Sequence, residues 1–441
     1  MAIRSPQLCT KAAVPTLLLI GLVAPTTAGS QETIIPLQLS FSDPGARSLG
    51  FGGAFVALAD DATAAFANPA GLVQLVRPEI SAEWRHWSHS TPFTESGRVE
   101  GLPSGFGIDT AVGLRTATSR YDASGLSFLS LAYPRGDWSV AFFRHQYADL
   151  EFTSETQGLF GGTTCCQVRQ FDQRATSDLN VVSYGLAAAY RVGDRFSVGV
   201  TLVYFDASLH AWATEYKFDD DSIESFFARN SYLPSRSNLS TRLFLDDTSW
   251  TVTGGFLWKL SERWSLGGVY RQGAELNVGV EATAGEANDL GVAPGTVLLH
   301  QTGVPVDFPD DYGLGVAYRA SGGRLTLSAQ WNRVEYSDIH DSLNLDDAVI
   351  DDADHLHLGA EYVFLDSTPI VALRLGAWRD PDHQMRSTSG DPFNRALRPS
   401  GKDEMHFALG IGVALRRYQI DLAVDYSDQV KTASLSAIAN F

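Results

Sequence analysis

Beyond its first thirty residues the chain lacks any run of about 18 uninterrupted apolar residues, the length a membrane-spanning helix needs, so no transmembrane helix is expected. Cysteine is scarce, at three in 441 residues. Cys9 lies in the leader; Cys165 and Cys166 have neither zinc-ligand spacing nor the partners of a disulfide scaffold, so free thiols and an adjacent disulfide both stay open. Positive charge is in deficit. The formal net charge is −18, and it becomes more negative when Arg4 and Lys11 leave with the leader. Phosphate binding needs a basic surface, so nucleic acid is excluded as a partner. Enzymatic signatures are missing as well: there is no Gly-x-Ser-x-Gly, no His-Glu-x-x-His and no P-loop, and no cofactor is implied.

What the chain has is alternation. Ile420, Leu422, Val424 and Tyr426 face one way, and Gln419, Asp421, Ala423, Asp425 and Ser427 the other. Side chains alternate across a strand, so each strand has one greasy face and one polar or small face. Both a sandwich and a membrane barrel use that pattern. The leader narrows the choice: Met1–Ser30 has Arg4 and Lys11, an apolar stretch from Ala12 to Val23 and small residues around Ala28, as a secretory signal peptide does. An exported chain without a helical span can enter a membrane only as a closed barrel.

Six short-turn hairpins between Gly125 and Ser427, with Glu79–Trp87 before them and Lys431–Phe441 after, make fourteen strands. The other connections are mostly long: Ser88–Ser124, Thr153–Ser177, Ala211–Asp247, Glu281–Asp311, Tyr336–Asp354 and Arg379–Glu404. Short turns on one rim and long loops on the other are the outer-membrane arrangement. Trp138, Phe196, Trp264 and Tyr418 open strands after short turns, and Tyr190 and Tyr318 precede them, as an aromatic girdle would. The expected fold is all-β: a 14-stranded antiparallel transmembrane barrel over residues 78–441, in the outer membrane of a Gram-negative-type bacterium. A monomer is expected. Its final strand ends at Phe441, the kind of signal read by the barrel assembly machinery. Asp219–Asp221, Asp346, Asp347, Asp351, Asp352 and Asp354 read as solubilising loop charge; the functional alternative is divalent-cation bridging to outer-membrane lipopolysaccharide.

Residues 31–77 do not alternate. Gly45–Phe55 is rich in small residues, including Gly50, Gly52 and Gly53, as a segment threaded through a filled lumen requires. Asp60 or Asp61 is expected to cap a short Ala-rich helix that Asn68-Pro69 ends. Pro69 should hold Asn68 extended, and Gly71 should take positive φ where the chain leaves the lumen.

Through Gly45–Phe55, Asp60-Asp61-Ala62-Thr63-Ala64 and Asn68-Pro69-Ala70-Gly71-Leu72, the chain resembles the long-chain fatty-acid transporter superfamily of outer-membrane barrels (FadL/TodX type, OmpP1-like). Tyr312–Arg319 and Leu325–Ser328 extend the likeness over the mature chain. The resemblance implies an N-terminal hatch carrying Asn68-Pro69-Ala70 inside the barrel. It implies passive transport of long-chain fatty acids or similar hydrophobic molecules, with lateral exit at a kinked third strand. Phe51 and Phe55 are then candidates for ligand contact. Ile223, Phe226 and Phe227, on one face of a helix opened by Asp221-Ser222-Ile223-Glu224, are candidates for an external groove; packing between loops is the competing reading.

In the third strand, the phase of Trp138, Val140 and Phe142 carries Arg144 and Gln146 toward lipid, where a charge costs about 2–4 kcal/mol at the midplane. Either a bulge at Phe142-Phe143 resets the phase or lipid is absent there, so Phe142, Phe143 and Arg144 mark the expected opening. His355 and His357 share a face but have no third ligand in sequence, so lumenal polarity outweighs a metal site. Gly313, Gly315, Gly410 and Gly412 read as small lumen-facing residues. Two other functions remain: a scaffold or shuttle barrel of a protein secretion system, suggested by the Gly45–Phe55 wording, and an open porin, which a hatch would block.

Overall fold

The computed structural model describes residues 43–163, 166–218, 222–229, 232–343 and 347–441. The expected leader, residues 31–42 of the expected hatch, Cys165, Asp219–Asp221 and Asp346 lie outside the described residues. Fourteen spans form the wall: β1 (Glu79–Arg98), β2 (Leu114–Arg135), β3 (Trp138–Thr156), β4 (Asp172–Val192), β5 (Phe196–Tyr216), β6 (Ser237–Lys259), β7 (Trp264–Arg271 continued by Glu275–Ala284), β8 (Val297–Asp307 continued by Asp311–Arg319), β9 (Leu325–Val334), β10 (Ala353–Phe364), β11 (Ile370–Asp380), β12 (Glu404–Ala414), β13 (Tyr418–Tyr426) and β14 (Val430–Asn440). Each pairs antiparallel with its neighbours. β14 returns to β1 from Glu79↔Asn440 to His89↔Val430, which closes the barrel and leaves no free edge there.

Alternation has the predicted sense. On β13, Ile420, Leu422, Val424 and Tyr426 are exposed on the outside, whereas Asp421, Ala423 and Asp425 are buried in the lumen. Trp138, Tyr190, Trp264 and Tyr418 are exposed near the short turns, and Trp264 meets Tyr318 at 4.8 Å between ring centroids. The strands run further than expected. β4, β5 and β6 stay paired through Tyr216 and from Ser237, inside the stretch read as the loop Ala211–Asp247. β1 and β2 likewise stay paired to Gly97↔Leu114. Outside lipid both faces of a ladder can be polar, so the apolar alternation that marked the strands fades before the strands end. The single strand expected over Trp264–Val278 is broken at 272–274, where Gly273 comes so close to β8 that a Cβ would sit 1.8 Å from Phe308 O.

Residues 43–75 pack into the lumen. They form α1 (Ala46–Gly50), α2 (Ala64–Ala67) and a 3-10 turn, Pro69–Gln74. Neither Asp60 nor Asp61 caps α2. Its N-cap is Thr63, and Asp61 instead accepts from Thr63 N at 2.9 Å, folding the approach into a turn one step earlier. Asn68 is extended, at φ −161°, and ends α2. Its side chain accepts from Ala70 N (3.2 Å) to cap the 3-10 turn, and donates to Val56 O (2.9 Å) and to Phe256 O on β6 (3.0 Å). Gly71 does not take positive φ. It is required for space, because a Cβ there would lie 2.1 Å from Ala59 O.

The wall is thinned to receive the hatch. A Cβ at Gly376 on β11 would fall 2.1 Å from Gly52 N, and one at Gly255 on β6 would fall 2.3 Å from Asn68 Oδ1. Charge then fastens what close approach permits. Arg47 bonds Asp60 (2.5 Å) and Glu361 on β10 (3.4 Å), Asp60 bonds Arg319 on β8 (2.6 Å), and Glu361 reaches Arg374 on β11 (2.7 Å). Burial alone would raise the Asp60 carboxyl, but Arg47 and Arg319 more than offset it and hold it below the usual carboxylate range. At the other side Gly45 N donates to Glu83 on β1 (2.9 Å).

Two outcomes follow from this packing. Gly376→Val should cost several kcal/mol by overpacking against Gly52 and abolish the folded band in heat-modifiable gel electrophoresis; an unchanged band would show that the hatch is free to withdraw. Asn68→Ala should leave the barrel folded. It orphans Val56 O and Phe256 O, at about 1–3 kcal/mol for each buried unsatisfied group, and should make residues near Pro69 cleavable by protease in intact outer membranes.

Candidate functional site

The wall is not paired everywhere. β2 keeps its partnership with β1 along its length, but it pairs with β3 only from Phe128↔His145 to Arg135↔Trp138. Beyond that point β3 pairs with β4 alone. Two irregularities coincide with the parting. Ser127 is an extra residue in β2, between Glu83↔Phe128 and Trp84↔Leu126. Tyr147 is an extra residue in β3, between Gln146↔Val182 and Ala148↔Val181. An inserted residue bends a strand and interrupts its ladder, and two facing insertions let the strands diverge.

The bulge expected at Phe142-Phe143 is therefore at Tyr147. Phe142 is exposed on the outside and Phe143 is fully buried inside, against Phe128 and Phe66 at 5.8 Å each. The phase resets only after Gln146, since Ser139, Ala141, Phe143 and His145 are buried before it and Ala148, Leu150 and Phe152 after it. Arg144 does point outward, and its charge is compensated locally. Its guanidinium donates to Leu126 O on β2 (2.5 Å) and to Gln146 Oε1 (2.6 Å). Further along, Tyr121 donates to Asp149 (2.8 Å) and Thr153 N to Ser119 (2.9 Å). Between Arg144–Leu126 and Tyr121–Asp149 the two strands frame a window without ladder pairing among the described residues.

A chamber lies behind this window, above the hatch, and encloses ≈ 140 Å³ of free space. Gln146, Tyr147, Ala148 and Asp149 of β3 line it on the window side; Leu49, Gly52, Gly53 and Phe66 of the hatch form its floor. Across from the window stand His355, His357, Trp378 and His406. His357, Trp378 and His406 stack in a row across β10, β11 and β12, at 5.9 and 4.2 Å between centroids. Carboxyls dominate the polar lining: Asp43, Asp149, Asp311, Asp380 and Asp425. Arg271 is the only guanidinium among the described lining residues, and it is already held by Asp43 (3.5 Å) and Asp311. Burial pushes the Asp43 carboxyl above its ordinary value against the opposing pull of Arg271.

Several expected site residues fall elsewhere. Phe51 and Phe55 are fully buried in a cluster with Ala57, Leu58, Ala67 and Ala317, so they fasten the hatch to the wall and do not line the chamber. Gly52 and Gly53 do line it, and Gly50 abuts Gly410 on β12. Gly313 and Gly315 likewise lie against Val56 and Ala57 of the hatch. Ile223 begins a one-turn helix capped by Ser222, which accepts from Ser225 N at 3.3 Å. Phe226 and Phe227 are buried with Phe160, Phe171 and Phe218, and Ile223 is 46% exposed. Packing between loops accounts for both phenylalanines; only Ile223 is presented outward.

His355 and His357 have separate partners. His355 bonds Asp380 (2.9 Å), while His357 Nδ1 donates to Gly52 O (2.7 Å), and no metal-binding group of three exists among the described residues. The loop acids are paired too: Asp352 with Arg333 (2.7 Å), Asp354 with Arg333 (3.6 Å) and Asp351 with Arg386. Trp378, His406, Asp425 and Tyr147 were missed as site residues. Three of them sit at inward positions of their strands, and charged or aromatic side chains on the small-residue face were the available signal.

A family model described as outer membrane protein transport protein (OMPP1/FadL/TodX) matches residues 169–370. No curated protein matches. Among solved structures, a FadL homologue of Pseudomonas aeruginosa aligns at 15% identity and TM-score 0.62, over 92% of this chain and 100% of that one. The toluene transporter TodX of Pseudomonas putida aligns at 15% identity and TM-score 0.54, over 91% of this chain and 99% of that one. The toluene transporter TbuX of Ralstonia pickettii aligns at 16% and 0.53, over 91% and 99%. At such identities these structures speak for the fold. The family match spans less than half of the chain and stands as a similarity; what the solved structures show is the fold, a closed fourteen-span wall around a hatch like that of the OmpP1/FadL/TodX outer-membrane barrels.

Proposed function

We propose that this barrel takes up small, uncharged hydrophobic compounds from outside, holds them in the chamber above the hatch and releases them sideways through the β2–β3 window into the outer membrane. The observation that carries this reading is the coincidence of chamber and window: Gln146, Tyr147 and Ala148 belong to both. Passage is by diffusion, since an apolar solute gains free energy on leaving an acid-lined lumen for hydrocarbon.

Long-chain fatty acids, the ligands implied by the sequence resemblance, fit this chamber less well than small neutral molecules. Free space of ≈ 140 Å³ is close to the roughly 150 Å³ of an engineered protein cavity that binds benzene. A fatty acyl chain would have to protrude from it. A carboxylate would also face Asp149, Asp311, Asp380 and Asp425 with no unengaged guanidinium among the described lining residues to receive it. The solved relatives described as toluene transporters, TodX and TbuX, favour the same side.

Cells that lack their own transporters and express this barrel should take up toluene faster than cells with an empty vector, with a smaller gain for oleate. Equal gains would return long-chain fatty acids to first place, and no gain for either would overturn the transport reading. Deleting Tyr147 should restore regular β3–β4 pairing and let β2 and β3 pair further up the wall. Toluene uptake should then fall toward the empty-vector level while the folded band persists; unchanged uptake would place the exit elsewhere.

A further inference from the structure

Two buried polar atoms at the edge of the chamber are unexplained by the wall or the hatch. His406 and Asp425 are 3% and 4% exposed and both line the chamber. His406 Nδ1 donates to Asp425 Oδ2 at 2.8 Å. The outer atom of each group, His406 Nε2 and Asp425 Oδ1, has no hydrogen-bond partner among the described residues. Leaving such atoms unpaired costs about 1–3 kcal/mol each, and buried groups of this kind are ordinarily satisfied. Their immediate neighbour is Trp378, stacked on His406 with ring planes 13° apart. An aromatic surface therefore continues directly into an unsatisfied acceptor and an imidazole nitrogen.

We propose that this corner is a polar subsite that selects, among the small hydrophobic solutes of the proposed transport, aromatic rings bearing a neutral hydroxyl. The inference rests on the chamber being the transport chamber. A phenolic hydroxyl has one proton, and it donates that proton to Asp425 Oδ1, the charged acceptor of the pair, with His406 held beside it by Asp425 Oδ2. The ring remains against Trp378 and the apolar part of the chamber, and free space of ≈ 140 Å³ admits one ring. A plain hydrocarbon ring occupies the same space but leaves both atoms unpaired. A ring carboxylate brings a second negative charge beside Asp425 and Asp380, where like charges repel. A site built to hydrogen-bond a hydroxyl discriminates strongly against the analogue lacking it.

Three ligands on one methylbenzene skeleton test this by titration calorimetry on the full chain purified in detergent: 4-methylphenol, toluene and 4-methylbenzoate. The wild-type protein should bind 4-methylphenol about tenfold more tightly than toluene, the gain of one hydrogen bond to a charged group, and 4-methylbenzoate most weakly. Asp425→Leu removes the carboxylate and leaves His406 stacked on Trp378; it should bring 4-methylphenol down to the toluene level and leave toluene unchanged. If that variant loses its folded band, Asp425→Asn carries the same comparison, with a reduced preference expected. Equal wild-type affinity for toluene and 4-methylphenol, or tight binding of 4-methylbenzoate, would overturn the subsite and leave hydrophobic transport standing. Absence of binding by all three would overturn the chamber reading as well.

Discussion

In hydrocarbon there is no water to satisfy a backbone amide, so every strand of a spanning sheet must find a partner on both sides. Pairing of β14 with β1 over Glu79–His89 meets that demand and makes the rest of the architecture possible. It fixes a lumen of fourteen spans, too wide to be filled by wall side chains alone. It also brings the end of the hatch, at Gln74, and the last residues of the chain to the same rim as the short turns.

The hatch fills that lumen by two means that depend on one another. Glycines such as Gly255 and Gly376 remove wall side chains where the hatch backbone passes, which gives close approach but little energy by itself. Charged residues supply the specificity. Arg47 joins its own Asp60 to Glu361 of the wall, and Arg374 connects Glu361 with Asp421. Buried ion pairs contribute modestly to net stability but penalise misplacement heavily, because each displaced partner strands a charge. The hatch is thereby held at one height and one rotation, which sets the floor of the chamber.

Against this tightly satisfied background, the window is a local exception that the protein manages with side chains. Where β2 and β3 part, the edge of β2 would present unpaired carbonyls. Arg144 covers one of them, Leu126 O, from the outside. The charge that looked misplaced toward lipid is the group that makes an open seam tolerable there. Tyr121 and Asp149 close the far end of the same seam. The chamber behind it is stacked with imidazole and indole and lined with carboxyls, a composition suited to uncharged rings more than to anions.

Alternation by itself determined the wall. The period of two along β13, the aromatic residues beside short turns and the sorting of loop lengths are local properties, and each survived in the structure. The extended Asn68 was legible for the same reason, since Pro69 restricts its neighbour whatever surrounds it. Strand ends were not legible, because ladders outside lipid need no apolar face. The bulge was placed at Phe142-Phe143 because phase violations were counted from Trp138; only pairing with β4 shows that Tyr147 is the extra residue. Phe51 and Phe55 were expected as ligand contacts because they are aromatic residues of the expected hatch, and packing against Ala317 decides otherwise. The chamber is a product of tertiary structure alone. Trp378, His406, Asp425 and Tyr147 come from four different stretches of chain, and only the register between distant strands brings them around one space.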